Sequence, residues 1–314
     1  MNGRVLALSG GVGGAKLALG LARVLDAGQL TVVANTGDDF VHLGLSISPD
    51  VDTLVYTLAG LADPERGWGH REETWGFMEA LARLGGETWF RLGDRDLAMH
   101  VERTHRLAAG EPLSAVTDHV RRCLGIAAAI VPMSDDPVRT RLDTECGRLD
   151  FQDYFVRRRC EPVVRGIVYQ GAETARPAQA WMQLLADEPL RAVVICPSNP
   201  LLSIEPILAL PGVRAALAAC AAPVIAVSPL IGGQALKGPT ARLMRELGEE
   251  AGAGGIAHRY AGMIDALLVD AGDMPAARQA DIEWIAAPIL MDTLRDRELL
   301  AGAVLAAADR IAGR

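Results

Sequence analysis

Short apolar runs that alternate with segments of helical period predict an α/β protein with a mainly parallel, Rossmann-like sheet, a helical insertion and a small antiparallel β excursion. Three observations carry this reading. Runs at 4–8, 30–34, 128–131, 192–196, 224–228 and 266–269 have strand length and apolar composition. The first of them, Arg4-Val5-Leu6-Ala7-Leu8, breaks through glycines straight into the helical pattern Leu17, Leu21, Val24, Leu25. The run Ala192-Val193-Val194-Ile195 has no polar face, as a strand covered on both sides requires. The chain of 314 residues is half hydrophobic, enough to bury a large core. With neither repeat nor low-complexity linker, it is expected to form one domain over 1–314.

In order along the chain, the first strand leads into Ser9-Gly10-Gly11-Val12-Gly13-Gly14-Ala15-Lys16, a strand-to-helix turn suited to binding phosphate. Glycines let the backbone approach a ligand closely, and the free N–H groups of a helix start point at an anion there. Two familiar glycine patterns fail: Leu17 follows Lys16 where a P-loop needs Ser or Thr, and a dinucleotide fingerprint from Gly11 needs glycine at Lys16 and an acid after the second strand. Hydride chemistry is therefore not expected. The plainer reading is a turn that only lets helix pack on strand.

Beyond the second strand come Asn35-Thr36-Gly37-Asp38-Asp39 and Ser48-Pro49-Asp50-Val51-Asp52-Thr53, four carboxylates within fifteen residues. If the first two strands are neighbours, these acids lie beside the glycine turn, and hard oxygen ligands next to phosphate are what Mg2+ takes. The competing role for Asp50 and Asp52 is capping the helix that follows. Helices expected at 52–61, 74–84, 97–109 and 113–124 make up the helical insertion, 52–125. Within it, Trp68, His70 and Arg91 could stack on and hydrogen-bond a flat heterocycle; alternatively Trp68 and Trp75 cover the insertion's core, and Arg91 pairs with Asp94 and Asp96 at the surface. His100, His105 and His119 show no metal-ligand spacing and are read as ordinary.

Over 138–170 the texture changes to short strands separated by charged stretches, the β excursion. Later strands end in Pro197-Ser198-Asn199-Pro200, then in Ser228-Pro229-Leu230-Ile231-Gly232-Gly233 followed by Lys237-Gly238-Pro239. An open parallel sheet binds its ligands at these carboxyl ends. A net charge of −8 argues against a nucleic-acid surface. Five widely spaced cysteines without a C-x-x-C pair suggest reduced core thiols. Met1 leads into the first strand without the pattern of a signal peptide, and no apolar stretch reaches membrane-spanning length, so a cytoplasmic protein with no membrane partner is expected.

The strings SGGVGGAK (9–16), NTGDD (35–39), SPDVDT (48–53), GWGHREETW (67–75), RLGDRD (91–96), PMSDDPVRT (132–140), FQDYFVRRR (151–159), PSNPLLSI (197–204), SPLIGG (228–233) and KGPTARLM (237–244) together resemble the 2-phospho-L-lactate transferase family, over the whole chain and closer to its bacterial branch. The resemblance implies an enzyme of deazaflavin coenzyme factor 420 biosynthesis. It would move a phospho-acid, 2-phospholactate, phosphoenolpyruvate or 3-phosphoglycerate, from a guanosine-diphosphate-linked donor to the ribityl hydroxyl of 7,8-didemethyl-8-hydroxy-5-deazariboflavin (Fo), with GMP leaving. It implies that Asp52 and Arg91 bind Fo, that Asp38 is associated with Mg2+, and that the glycine turn (Ser9, Gly10, Gly11, Gly13, Gly14, Lys16) and Ser198, Asn199 and Gly238 surround the nucleotide and its phosphates. Asp38 and Asp52 are the expected metal ligands and catalytic residues, Asp52 holding metal and hydroxyl together. A homodimer is the family's usual state. Some relatives carry Thr-Pro where this chain has Gly14-Ala15. The rival is the related gluconeogenesis-factor family, nucleotide-sugar-binding regulators that share the glycine turn and aspartates but lack SPDVDT and RLGDRD.

Overall fold

The structure is a computed structural model that describes residues 3–64, 68–187, 189–235, 238–275 and 282–313. Gly67 and Lys237 of the motifs above lie outside the described residues. In chain order the elements are β1 (Arg4–Ser9), α1 (Gly11–Val24), β2 (Leu30–Ala34), β3 (Phe40–His42), β4 (Leu45–Ile47), α2 (Pro49–Leu58), α3 (Gly76–Arg83), α4 (Asp94–Ala108) and α5 (Leu113–Cys123). There follow β5 (Ala129–Pro132), β6 (Arg139–Thr144), β7 (Gly147–Asp150), β8 (Val164–Gln170), α6 (Gln179–Asp187), β9 (Leu190–Ile195), α7 (Glu205–Leu208), α8 (Val213–Ala218) and β10 (Val224–Val227). The last are β11 (Leu230–Ile231), β12 (Gln234–Ala235), α9 (Thr240–Glu246), α10 (Ala253–Arg259), β13 (Ala266–Val269), β14 (Glu283–Ala286) and α11 (Leu294–Ile311).

Among the described residues, seven strands form one parallel sheet in the order β14-β13-β10-β9-β1-β2-β5. The α/β expectation holds, and six of the seven strands fall on the apolar runs. The seventh, β14, is a short edge strand of partly exposed residues, too weak in pattern to stand out from sequence. Strand order reverses between β1 and β9, both of which follow the same direction; such a switch point opens a crevice at the carboxyl ends.

Alternate residues of each strand feed two cores. Leu6, Leu8, Val193 and Ile195 face one side, with Trp181 and the excursion's Leu142; Val5, Ala7, Ala192 and Val194 face the other, with α1, α2 and α11. The excursion forms its own antiparallel sheet, β7-β6-β8, as the sequence predicts. Within 52–125, α2 buries Val51, Leu54 and Val55 in the main core, whereas Ile47, Met78 and Leu92 anchor a separate small core with Phe40, Trp75 and Phe90. The hairpin β3-β4 that feeds this small core has only three residues per strand and was not legible as strand.

Of the cysteines only Cys196 is a core thiol; Cys123 and Cys146 are exposed, and Cys160 and Cys220 half-buried. The reading of all five as core thiols is corrected accordingly. Among the described residues no helix is long and apolar enough to cross a membrane.

Helix α1 crosses α11 so closely that a Cβ at Gly20 would overlap the carbonyl oxygen of Arg297. Gly to Ala inside a helix ordinarily stabilises by about 1 kcal/mol. Gly20→Ala is expected instead to destabilise, by about 1–3 kcal/mol through overpacking, measured as a lowered urea midpoint at unchanged m.

Candidate active site

Register decides where the site forms. Leu8 of β1 lies opposite Val33 of β2 and Ile195 of β9, so three chains leave the sheet at one level. The segments they release, Gly10 onward, Asn35–Asp39 and Pro197–Asn199, converge on a cleft of about 930 Å³. Its lining includes Gly10, Gly11, Gly13, Lys16, Asp38, Asp50, Asp52, Ser198, Asn199 and Gly238, together with Trp68, Trp89, Phe90, Arg91, Phe151 and Phe155.

The glycine turn is shorter than its sequence suggests, because α1 already begins at Gly11. Gly11 has φ +63°, a left-handed conformation that glycine adopts without cost, and a Cβ at Gly14 would overlap the hydroxyls of Ser9 and Ser198. Ser9 and Gly14 are buried and stand behind the cleft wall, while Gly10, Gly11 and Gly13 face it. The Gly10 amide donates to Ser198 Oγ (3.1 Å) and the Gly11 amide to Asp50 Oδ1 (2.6 Å). Lys16 donates to the carbonyl of Met291 (2.7 Å) from within the cleft wall. Asn199 Oδ1 accepts from the amides of Leu201 (2.9 Å) and Leu202 (3.0 Å), capping the π-helical turn Pro200–Ile204.

Neither Asp50 nor Asp52 is the N-cap of α2. Ser48 occupies that place with Pro49 after it, and Asp50 instead reaches across to cap α1. Asn35 Nδ2 bridges Asp38 Oδ1 (2.5 Å) and Asp50 Oδ2 (2.9 Å). The structure thus brings Asp38 together with Asp50. Asp52, the expected metal partner of Asp38, has both oxygens engaged by Arg103, with Nη1 at 3.2 Å from Oδ2 and Nη2 closer on Oδ1. A carboxylate held bidentate by a guanidinium has its charge already met, which weakens the case for Asp52 as ligand.

Electrostatics separate the two groups of acids. Burial pushes Asp38 well above the ordinary carboxylate range, and the charges of Asp50 and Asp39 push it further. Burial raises Asp39 to about 7, against the lowering pull of Arg139 and the Ser48 hydroxyl. Burial likewise raises Asp50 to about 6, opposed by its bonds from Asn35 and Gly11. Asp39 Oδ1 has no hydrogen-bond partner among the described residues. Three carboxyls are therefore crowded at 38, 39 and 50 with too little positive charge beside them to hold them ionised as ordinary carboxylates. Among the described residues no three His, Cys, Asp or Glu side chains form a metal cage on their own.

Among the aromatic residues of the cleft, Arg91 stacks over the Trp75 ring at 4.0 Å, and Trp68, 43% exposed, meets Trp75 edge-on at 6.5 Å. The surface ion pair considered for Arg91 is not what forms: Asp94 accepts from the Gly76 and Phe77 amides (2.9 Å each) at the start of α3, and Asp96 is buried and taken by Tyr56 and His100. His70 packs edge-on against Tyr56 at 5.7 Å and is not among the residues that line the cleft beside Trp68 and Arg91. Sequence reasoning missed Asn35, Arg103, His100, Tyr56, Trp89 and Phe151. The signal for some of them was present: Asp96, His100 and Arg103 are spaced by four and three on α4, and Asp52 and Tyr56 by four on α2, each set forming one helix face.

Residues 5–306 match the family model of 2-phospho-L-lactate transferase CofD. The chain belongs to this family. It is 38% identical over 317 residues to the phosphoenolpyruvate transferase of Streptomyces griseus, covering 98% of this chain and 99% of that protein. It is 39% identical over 311 residues to the phosphoenolpyruvate transferase of Mycobacterium marinum, covering 92% and 93%. In fold, the CofD-family chain is similar to the crystal structure of a UPF0052 family member from Bacillus halodurans, with a TM-score of 0.65 at 12% identity over 97% of this chain and 99% of that one. Family membership makes the protein a transferase of the CofD type.

The raised Asp39 carboxyl gives a pH test. In the unfolded chain Asp39 ionises near pH 4, but the folded chain holds the proton to about 7, so folding is penalised progressively as pH rises between these values. Asp39→Asn removes the penalty. Without ligand, the variant is expected to gain on the order of 2–4 kcal/mol over wild type at pH 8 and only about 1 kcal/mol at pH 4.5, in urea unfolding at both pH values. A pH-independent difference would contradict the assignment.

Proposed function

We propose that this CofD-family transferase is a cytoplasmic enzyme that moves phosphoenolpyruvate from its guanosine-diphosphate-linked form to the ribityl hydroxyl of Fo, releasing GMP. The observation that carries the reading is the convergence, in one cleft, of the α1 amides and an under-compensated acidic group with a wall of aromatic rings. The choice of phosphoenolpyruvate is supported by relatives of that name at 38–39% identity over nearly their full length. The guanosine link and the Fo acceptor rest on the motif resemblance and on the shape and chemistry of the cleft.

In this reaction the hydroxyl oxygen of Fo bonds to the phosphorus that bears the acid as its proton passes to solvent, and the bridging P–O bond breaks with its electron pair leaving on GMP. Such a transfer needs charge neutralisation and alignment more than covalent help from the protein. With the Gly10 and Gly11 amides taken by Ser198 and Asp50, the amides of Val12 and Gly13, with Lys16 and the Ser198 hydroxyl, supply donors for the diphosphate. Asp38 and Asp50 would hold Mg2+, their buried and incompletely compensated charge fitting a cation. When bound, the ion supplies positive charge to phosphoryl oxygens. Asp52, fixed by Arg103, is placed to orient the acceptor hydroxyl rather than to complete the metal shell. Trp68, Arg91, Trp89 and Phe90 offer faces and edges for a tricyclic ring.

Incubation with Fo, Mg2+ and, in turn, guanylylated phosphoenolpyruvate, phospholactate and phosphoglycerate tests this by product mass. GMP and the phosphoenolpyruvyl adduct of Fo are expected, and both are lost with a chelator; absence of any Fo adduct would remove the proposal. A sugar-nucleotide ligand bound without turnover would favour the regulatory relatives instead.

Arg91→Ala separates the two walls. Loss of a guanidinium on an aromatic wall is expected to raise the KM for Fo about tenfold while leaving that of the donor within about twofold in steady-state kinetics.

A further inference from the structure

Along the cleft wall, α2 and α4 are joined by a run of polar contacts that the turn of α2 from Asp52 to Tyr56 completes into a ring. Asp52 and Tyr56 stand one turn apart on α2; Asp96, His100 and Arg103 share one face of α4. Arg103 grips both oxygens of Asp52, and its Nη1 also donates to the Ser46 carbonyl (3.3 Å). His100 lies between the two acids, Nδ1 at 3.4 Å from Arg103 Nη1 and 3.7 Å from Asp52 Oδ2, Nε2 at 3.2 Å from Asp96 Oδ2. The Tyr56 hydroxyl closes the ring on Asp96 Oδ1 (2.6 Å). All five side chains belong to buried residues, with Arg103 and His100 only 2% exposed.

Burying this many charges at a helix crossing is a poor route to stability, because well-packed apolar groups do as well without the desolvation cost. What the ring provides is direction. Arg103 alone could turn toward Asp39, whose carboxylate also feels its charge. With His100 against its Nη1 and the Tyr56–Asp96 bond setting the height of α4 against α2, the guanidinium has one place to be, and so has Asp52.

Building on the proposed function, we infer that Tyr56, Asp96 and His100 are positioning residues that hold the Asp52–Arg103 pair in register with the acceptor hydroxyl. They act on transfer through Asp52. Loss of one ring member leaves both substrates bound but misaligns the attacking oxygen, and small misplacements of reacting groups cost large factors in rate.

The test is a double-mutant cycle. Tyr56→Phe, which removes one oxygen, is expected to lower kcat about tenfold with the donor KM within about twofold; added to Asp52→Asn, the same change is expected to lower kcat by less than about twofold, because its route of action is already gone. Asp96→Asn, which keeps side-chain size, is run in parallel and carries the cycle if Tyr56→Phe lowers the melting temperature. Independent losses that multiply, or a donor KM that shifts as far as kcat, would overturn the inference while leaving the transferase reading intact. A wild-type protein without turnover on Fo would overturn both.

Discussion

The level at which β1, β2 and β9 end is the constraint from which the rest of this molecule follows. Parallel pairing places Leu8 beside Val33 and Ile195, so the glycine turn, the first acidic segment and the Pro197–Asn199 turn begin side by side. Because strand order reverses at β1, helices leave to opposite faces and the space between those turns stays open. Glycines at 10, 13 and 14 then let the start of α1 lie against Ser203, Pro197 and Ser198, contacts that side chains there would block. A slip of one residue in this register would turn every alternate core residue to the wrong face, so the fold that buries Leu6 and Val5 on opposite sides also sets the site.

Within the cleft, the protein treats its acids in two ways. Asp52 and Asp96 are matched by Arg103, His100 and Tyr56, and for Asp96 the His100 hydrogen bond and charge overcome the upward push of burial and leave its carboxyl below the usual range. Asp38, Asp39 and Asp50 share Asn35, Ser48 and the Gly11 amide, which are neutral donors, and their carboxyls stay above it. The same residue type thus serves as a fixed carboxylate anchor where a cation is built in and as a readily protonated group where the donors are neutral. Asp50 belongs to both tasks, capping α1 with one oxygen while the other faces Asn35.

Across from these acids, the small core of α3, α4 and the β3-β4 hairpin holds aromatic rings at the cleft edge. Phe90 meets Phe40 edge-on at 4.8 Å, and Arg157 lies over Trp89 at 4.5 Å, so the wall is braced from the hairpin and from the β excursion. The excursion and the insertion, far apart in sequence, therefore share one surface of the cleft. Phe151 and Phe155, stacked at 5.3 Å, extend it.

Local pattern carried much of this. Six apolar runs became the five inner strands and one edge strand of the sheet, the charged alternation over 138–170 became its antiparallel companion, and the ten motif strings declared the transferase family. Period and composition report which face an element hides, and glycine followed by helix reports where an anion can sit; both are properties of a few neighbouring residues. Three-residue strands such as β3 and β4 and the half-exposed β14 fall below what such patterns can signal. Tertiary structure alone decided the partners: that Asp50 caps α1 rather than α2, that Arg103 claims Asp52, that His100 is part of the cleft and His70 is not. Those pairings depend on how α2 crosses α1 and α4, and a crossing is set by packing between segments some forty to fifty residues apart, which no local spacing encodes.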